Sequence, residues 1–85
     1  MVVTLMTKYK LLTSNGSKII YNFDTLDGTG TFSIDKKDNS IELLSTECYL
    51  KNRKMNKENL DHILFVGKKK IVEMNFPESC VYATH

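Results

Sequence analysis

Tryptophan is absent from this 85-residue chain, proline occurs once at position 77, and cysteine occurs only as Cys48 and Cys80. A secreted domain of this size that depends on disulfides usually carries four or more cysteines, so both thiols are expected to be reduced. Long apolar runs are also missing. None exceeds four residues, Ile63-Leu64-Phe65-Val66 being one, whereas a bilayer-crossing helix needs about 20. The opening Met1-Val2-Val3-Thr4-Leu5-Met6-Thr7-Lys8 has no basic leader, and Thr4 interrupts its apolar stretch. No secretory signal is therefore expected, and a cytoplasmic location follows by default. A net charge of +2 is too small to indicate a nucleic-acid partner by itself.

Charged residues at 26% and hydrophobic residues at 41% fit a folded globular chain and argue against disorder. At this length residues 1–85 are expected to form a single small globular domain, without linker, repeat or low-complexity segment. Such a chain buries only about 60–65% of its unfolded surface, which leaves little room for a deep active site. A shallow site or a binding face is the better expectation.

The first half alternates with a period of two. Ile19, Tyr21 and Phe23 point one way while Lys18, Ile20, Asn22 and Asp24 point the other. Phe32 and Ile34, then Ile41 and Leu43, repeat the pattern, and Val3, Leu5, Thr7, Tyr9 and Leu11 give a longer, weaker one. Turn signals lie between these stretches at Ser14-Asn15-Gly16, Asp27-Gly28-Thr29-Gly30 and Lys36-Lys37-Asp38-Asn39. Connections this short favour an antiparallel meander of four strands over a parallel sheet. Its outward face is expected to carry Lys18, Ile20, Asn22, Thr31, Ser33, Glu42 and Leu44, a polar surface with scattered apolar residues.

The second half changes period. Leu60, Ile63, Leu64, Gly67, Ile71 and Met74 recur at spacings of three and four, which predicts a helix over about residues 57–74. Asn56 suits its N-cap, and Glu58 and Asp61 suit the positive end of its dipole. Gly67 costs about 1 kcal/mol inside a helix and could instead close a shorter one, leaving Lys70 to Met74 as a strand. The stripe continues past Gly67 and favours the single helix. Phe76, placed before Pro77, is pushed out of the α region, so the helix has ended by there. The tail from Ser79 to His85 alternates weakly and can add a short final edge strand. The expected architecture is α+β: a four-stranded antiparallel meander with one C-terminal helix packed on one face.

Tyr9-Lys10-Leu11-Leu12-Thr13-Ser14-Asn15-Gly16, Gly28-Thr29-Gly30 before a strand, and Phe76-Pro77-Glu78 after a helix carry a resemblance. The chain resembles a group of small uncharacterised proteins of Gram-positive bacteria. The resemblance implies an α+β fold and brings no activity or functional residue with it.

Charge is unevenly spread. Residues 51–70 hold seven basic residues against two acidic ones, a net of +5, while residues 14–50 hold three against six, a net of −3. Lys51, Arg53, Lys54, Lys57, Lys68, Lys69 and Lys70 thus form a candidate partner-binding basic patch. The two ends of the patch bracket the helix, with Lys57 and Lys68 roughly 16 Å apart along it. Only one of the seven is arginine, the residue that reads base edges bidentately.

Chemical constellations are sparse. Cys48, His62, Cys80 and His85 leave 13, 17 and 4 residues between them, without the close cysteine pair of a zinc ribbon or finger. No third group orients His62 toward either thiol at a recognisable spacing. Gly28-Thr29-Gly30 lacks the lysine of a phosphate loop and precedes a strand. In a calcium loop beginning at Asp35, Thr46 would stand where the bidentate glutamate belongs. No catalytic residue, metal or cofactor is expected. The leading expectation is a non-catalytic cytosolic protein-interaction module, with a homodimer through an edge strand as one form of it and no membrane partner. The alternative is a weak nucleic-acid binder using residues 51–70, and a small enzyme stands third.

Overall fold

The computed structural model describes residues 5–25, 28–48 and 57–84. In chain order these form β1 (Leu5–Asn15), β2 (Lys18–Asp24), β3 (Gly28–Asp35), β4 (Ile41–Cys48), α1 (Lys57–Glu73) and β5 (Ser79–Thr84). All five strands make one antiparallel sheet in the order β4-β3-β2-β1-β5. The first four run as the expected meander. The tail returns after the helix to pair with the outer side of β1, from Lys10 opposite Ser79 to Leu5 opposite Thr84.

Turn chemistry sets the register. Gly16, at φ 64°, starts a two-residue loop between the paired Asn15 and Lys18, a shape that a residue with a Cβ adopts at a cost. Between β3 and β4, the Asp35 carboxylate accepts from the Lys37 N–H at 2.9 Å and the Asp38 carboxylate from the Ser40 N–H at 3.0 Å. Asn39 then takes φ 59°, which asparagine tolerates. Of the Asp27 to Gly30 stretch expected as a turn, Asp27 lies outside the described residues and Gly28 to Gly30 are strand. Gly28 and Gly30 are already buried strand residues of β3, and a Cβ on Gly30 would collide with the Phe23 ring. The glycine is there to make room for an aromatic on β2.

One face of the sheet carries the core. Tyr9, Ile19, Tyr21, Phe23, Phe32, Ile34 and Cys80 are buried there beneath Ile63 and Ile71 of α1. Phe32 anchors the cluster, with the rings of Tyr9, Tyr21 and Phe23 each 6.1 Å from its centroid. A helix about 10 Å wide cannot cover five strands spanning about 19 Å. Among the strands, α1 lies nearest β5. It also touches β1 directly, where the Tyr9 hydroxyl donates to the Ile63 carbonyl at 2.7 Å. β4 places none of its residues in the buried core, although Ile41 packs against it.

α1 continues through Gly67, as its apolar stripe predicts. Gly67 lies over Tyr9, and a Cβ there would stand 2.5 Å from the ring. The missing side chain lets the helix approach the sheet. Asn56, expected as the N-cap, lies outside the described residues. At the other end the Phe76 N–H bonds to the Ile71 carbonyl at 2.8 Å and the Asn75 N–H to the Val72 carbonyl at 3.1 Å. This is the Schellman pattern, with Asn75 and Phe76 both left-handed at φ 58° and 56°. Phe76 packs against the core, and Lys36 sits 5.0 Å over its ring.

Candidate functional site

The free edge of β4 is the first surface the fold leaves open. Among the described residues β4 has one strand neighbour, β3. Among the described residues no strand takes up the other row of its backbone N–H and C=O groups. Its sequence, Ile-Glu-Leu-Leu-Ser-Thr-Glu-Cys, contains neither lysine nor proline, two residues that commonly blunt such edges. Leu43 is 39% exposed and Leu44 47%. Leu43 belongs by register to the core side, opposite Phe32. Leu44 is the extra residue of a bulge, because Phe32 pairs with Leu43 while Thr31 pairs with Ser45. The edge is thus apolar at its centre and acidic at Glu42 and Glu47. Glu42 also meets Lys18 at 3.9 Å in an exposed ion pair, worth about 0–1 kcal/mol.

The basic patch is only partly on view. Lys51, Arg53 and Lys54 lie outside the described residues. Lys57 is exposed at the start of α1, while Lys68, Lys69 and Lys70 occupy its last turns. Three consecutive helical residues fan through about 200°, so these lysines do not form one cationic stripe. Lys69 is exposed, whereas Lys68 and Lys70 are half-buried. Lys57 and Lys68 share a side of the helix, but Asp61 lies between them. The structure does not bring the described part of the patch together.

A neighbouring feature was not legible in the charge pattern. Phe65 is 66% exposed on the outer side of α1. With Val72 and the stems of Lys68 and Lys69 it lines a depression of about 260 Å³ that reaches Asn39 in the β3–β4 turn. Phe65 belongs to the apolar run Ile63 to Val66 and reads as core in a simple count; its helical angle, about 200° from Gly67, is the signal that places it outside.

The sulfur and imidazole groups are dispersed. Cys48 ends β4 and Cys80 lies in β5, at opposite margins of the sheet, so four inter-strand steps hold them at least about 19 Å apart. Both are free thiols. Cys80 is buried beneath the helix, and burial pushes its thiol above the ordinary cysteine range despite the opposing pull of Lys70, which disfavours the nucleophilic thiolate. His62 is exposed and meets the Tyr82 ring edge-on at 6.3 Å. His85 lies outside the described residues. Among the described residues no three His, Cys, Asp or Glu side chains gather as metal ligands, and no helix is long and apolar enough to cross a membrane.

On the open face of the sheet, a second depression of about 440 Å³ lies along Lys8, Lys10, Asn22, Asp24, Ser79 and Val81. Asn22 is already engaged there, donating to Thr29 Oγ1 at 3.1 Å and to the Gly30 carbonyl at 2.8 Å. No protein-family model, curated protein or solved structure matches the chain.

Proposed function

We propose that the chain is a non-catalytic protein-interaction module of the cytosol that accepts an extended segment of its partner along the free edge of β4. The observation that carries this reading is the position of Leu43 and Leu44. Both are exposed on a strand at the margin of the sheet. An added strand would satisfy the open backbone groups and cover the two leucines, which is how sheet-edge recognition combines affinity with side-chain selection. A second copy of the chain is one partner such an edge accepts.

The test replaces the two leucines with the residue that blunts natural edges. In a Leu43→Lys, Leu44→Lys variant whose circular dichroism matches the wild type, proteins captured by the wild type are expected to be lost. Cross-links formed by the wild type should map to β4. If the partner is a second copy, the wild type sediments as a dimer and the variant as a monomer. Capture of the same proteins by both chains, or cross-links falling elsewhere, would show that the edge is not the docking site. Fluorescence anisotropy with a labelled oligonucleotide separates this reading from the nucleic-acid one, which requires affinity that falls steeply with salt.

A further inference from the structure

The outer side of α1 carries a surface that strand addition at β4 does not use. Phe65, the most exposed of the large hydrophobic side chains among the described residues, stands beside a shallow depression walled by Val72 and the aliphatic stems of Lys68 and Lys69. Lysine stems commonly line apolar surface while their ammonium heads stay in water, so Phe65 and Val72 give this depression an apolar floor, with Lys68 and Lys69 toward the Phe65 end and Glu73 beside Val72. A lone exposed phenylalanine needs no explanation by itself. Phe65, Lys68, Lys69 and Val72, however, stand three, four and seven residues apart on one helical face and meet the β3–β4 turn at Asn39.

We infer that this depression is a docking site for a short acidic segment of a partner protein, which seats one apolar side chain against Phe65 and Val72 and sets carboxylates beside Lys68 and Lys69. Charge complementarity selects that occupant. An anionic membrane would press its charge equally on Glu73, which lines the same depression, and on the nearby Asp38. A peptide can place its carboxylates toward the Phe65 end and avoid Glu73. The concave shape fits a single inserted side chain better than a flat lipid surface.

Asp38 already competes for the site. Its carboxyl is held below the usual range, first by hydrogen bonds from Ser40 and to a smaller degree by the Lys68 ammonium. A docked carboxylate shares Lys68 with Asp38, so removing the Asp38 charge should tighten docking.

The probe is a fluorescein-labelled synthetic peptide of glutamates and aspartates around a central Leu-Phe pair, titrated with the full chain. Binding in the micromolar range is expected, weakening about tenfold or more between about 0.1 M and about 1 M salt. Phe65→Ala should weaken it about tenfold. A double Lys68→Glu, Lys69→Glu variant should weaken it at least as much. Asp38→Asn, which retains an oxygen to accept from Ser40, should strengthen it about two- to threefold. Phe65 and Lys69 are exposed, so circular dichroism should show these variants folded. Four results would each overturn the inference: no binding at low salt, equal binding of a Gln and Asn version of the peptide, affinity indifferent to Phe65→Ala, and binding of phosphatidylglycerol vesicles without binding of the peptide. Because Leu43 and Leu44 are outside this surface, the Leu43→Lys, Leu44→Lys variant should bind the peptide as the wild type does. This separates the outcome from that of the β4 edge.

Discussion

Gly67 shows how a residue that weakens one level of structure can be required by the next. Within the helix its loss of conformational freedom costs about 1 kcal/mol relative to alanine. Against the sheet it makes room for the Tyr9 ring, whose Cε1 and Cζ atoms would lie 2.5 and 2.8 Å from an added Cβ. Tyr9 is itself fixed by its hydrogen bond to the Ile63 carbonyl, so the ring cannot simply swing aside. Gly67→Ala is therefore expected to destabilise the chain by about 1–3 kcal/mol, overpacking outweighing helix propensity. Urea unfolding followed by circular dichroism measures this. A stabilised variant would mean that the helix tolerates a wider separation from β1. The sequence marks Gly67 as a residue at odds with its stripe, but it cannot show the tyrosine 58 positions earlier that resolves the conflict.

The end of α1 shows the same tension at the level of an element. The Schellman closure requires Asn75 at φ 58° and leaves Phe76, directly before Pro77, at φ 56°. A bulky residue in the left-handed region costs about 1–2 kcal/mol, which the contact of Phe76 with the core and with Lys36 offsets. Asn75 bears no such packing role and is exposed. Asn75→Gly should accordingly stabilise the chain by about 0.5 kcal/mol, a rise in Tm of about 2–4 °C by calorimetry. A fall in Tm would indicate that the asparagine side chain makes a contact worth more than the relief of strain.

The strands were read less evenly than the helix. The parity of β2 and of Phe32 and Ile34 in β3 was legible because each alternates without interruption, and all those inward residues are buried. The two bulges were not anticipated, although each coincides with a doubled leucine, Leu11-Leu12 and Leu43-Leu44, where alternation fails. In the sheet they fall on one transverse row, Leu43 opposite Phe32, Phe32 opposite Tyr21, and Tyr21 opposite Leu11. Bulges aligned in this way concentrate bending and twist along that row. Periodicity alone cannot reveal such an alignment, because it depends on registers between strands.

At the scale of the whole molecule, the charge asymmetry seen in the sequence is less concentrated than the segment totals suggest, since the lysines at the end of α1 fan around its axis. What joins the two layers is instead a pair of tyrosines. Tyr9 ties β1 to the Ile63 carbonyl in α1, and Tyr21 ties β2 to the Pro77 carbonyl at 2.6 Å in the connection to β5. Burial, with a smaller contribution from Cys80, pushes the Tyr21 phenol up to about 12, and burial pushes Tyr9 higher still. Both phenols have the ordinary value of 10.0 when unfolded. The folded chain therefore keeps two protons that the unfolded chain has begun to release. The resulting stabilisation is complete below pH 10.0 and is lost as pH rises through about 12 and beyond. The free energy of unfolding should fall across that window, with helix and sheet signals lost together. Tyrosine absorbance should show the Tyr9 and Tyr21 phenols titrating late. A Tyr9→Phe, Tyr21→Phe double variant should start less stable, because the Ile63 and Pro77 carbonyls each lose a donor, and should show a flatter alkaline slope than the wild type. Equal slopes would assign the alkaline transition to other groups and would leave the two hydroxyls as structural contacts without a role in its pH dependence.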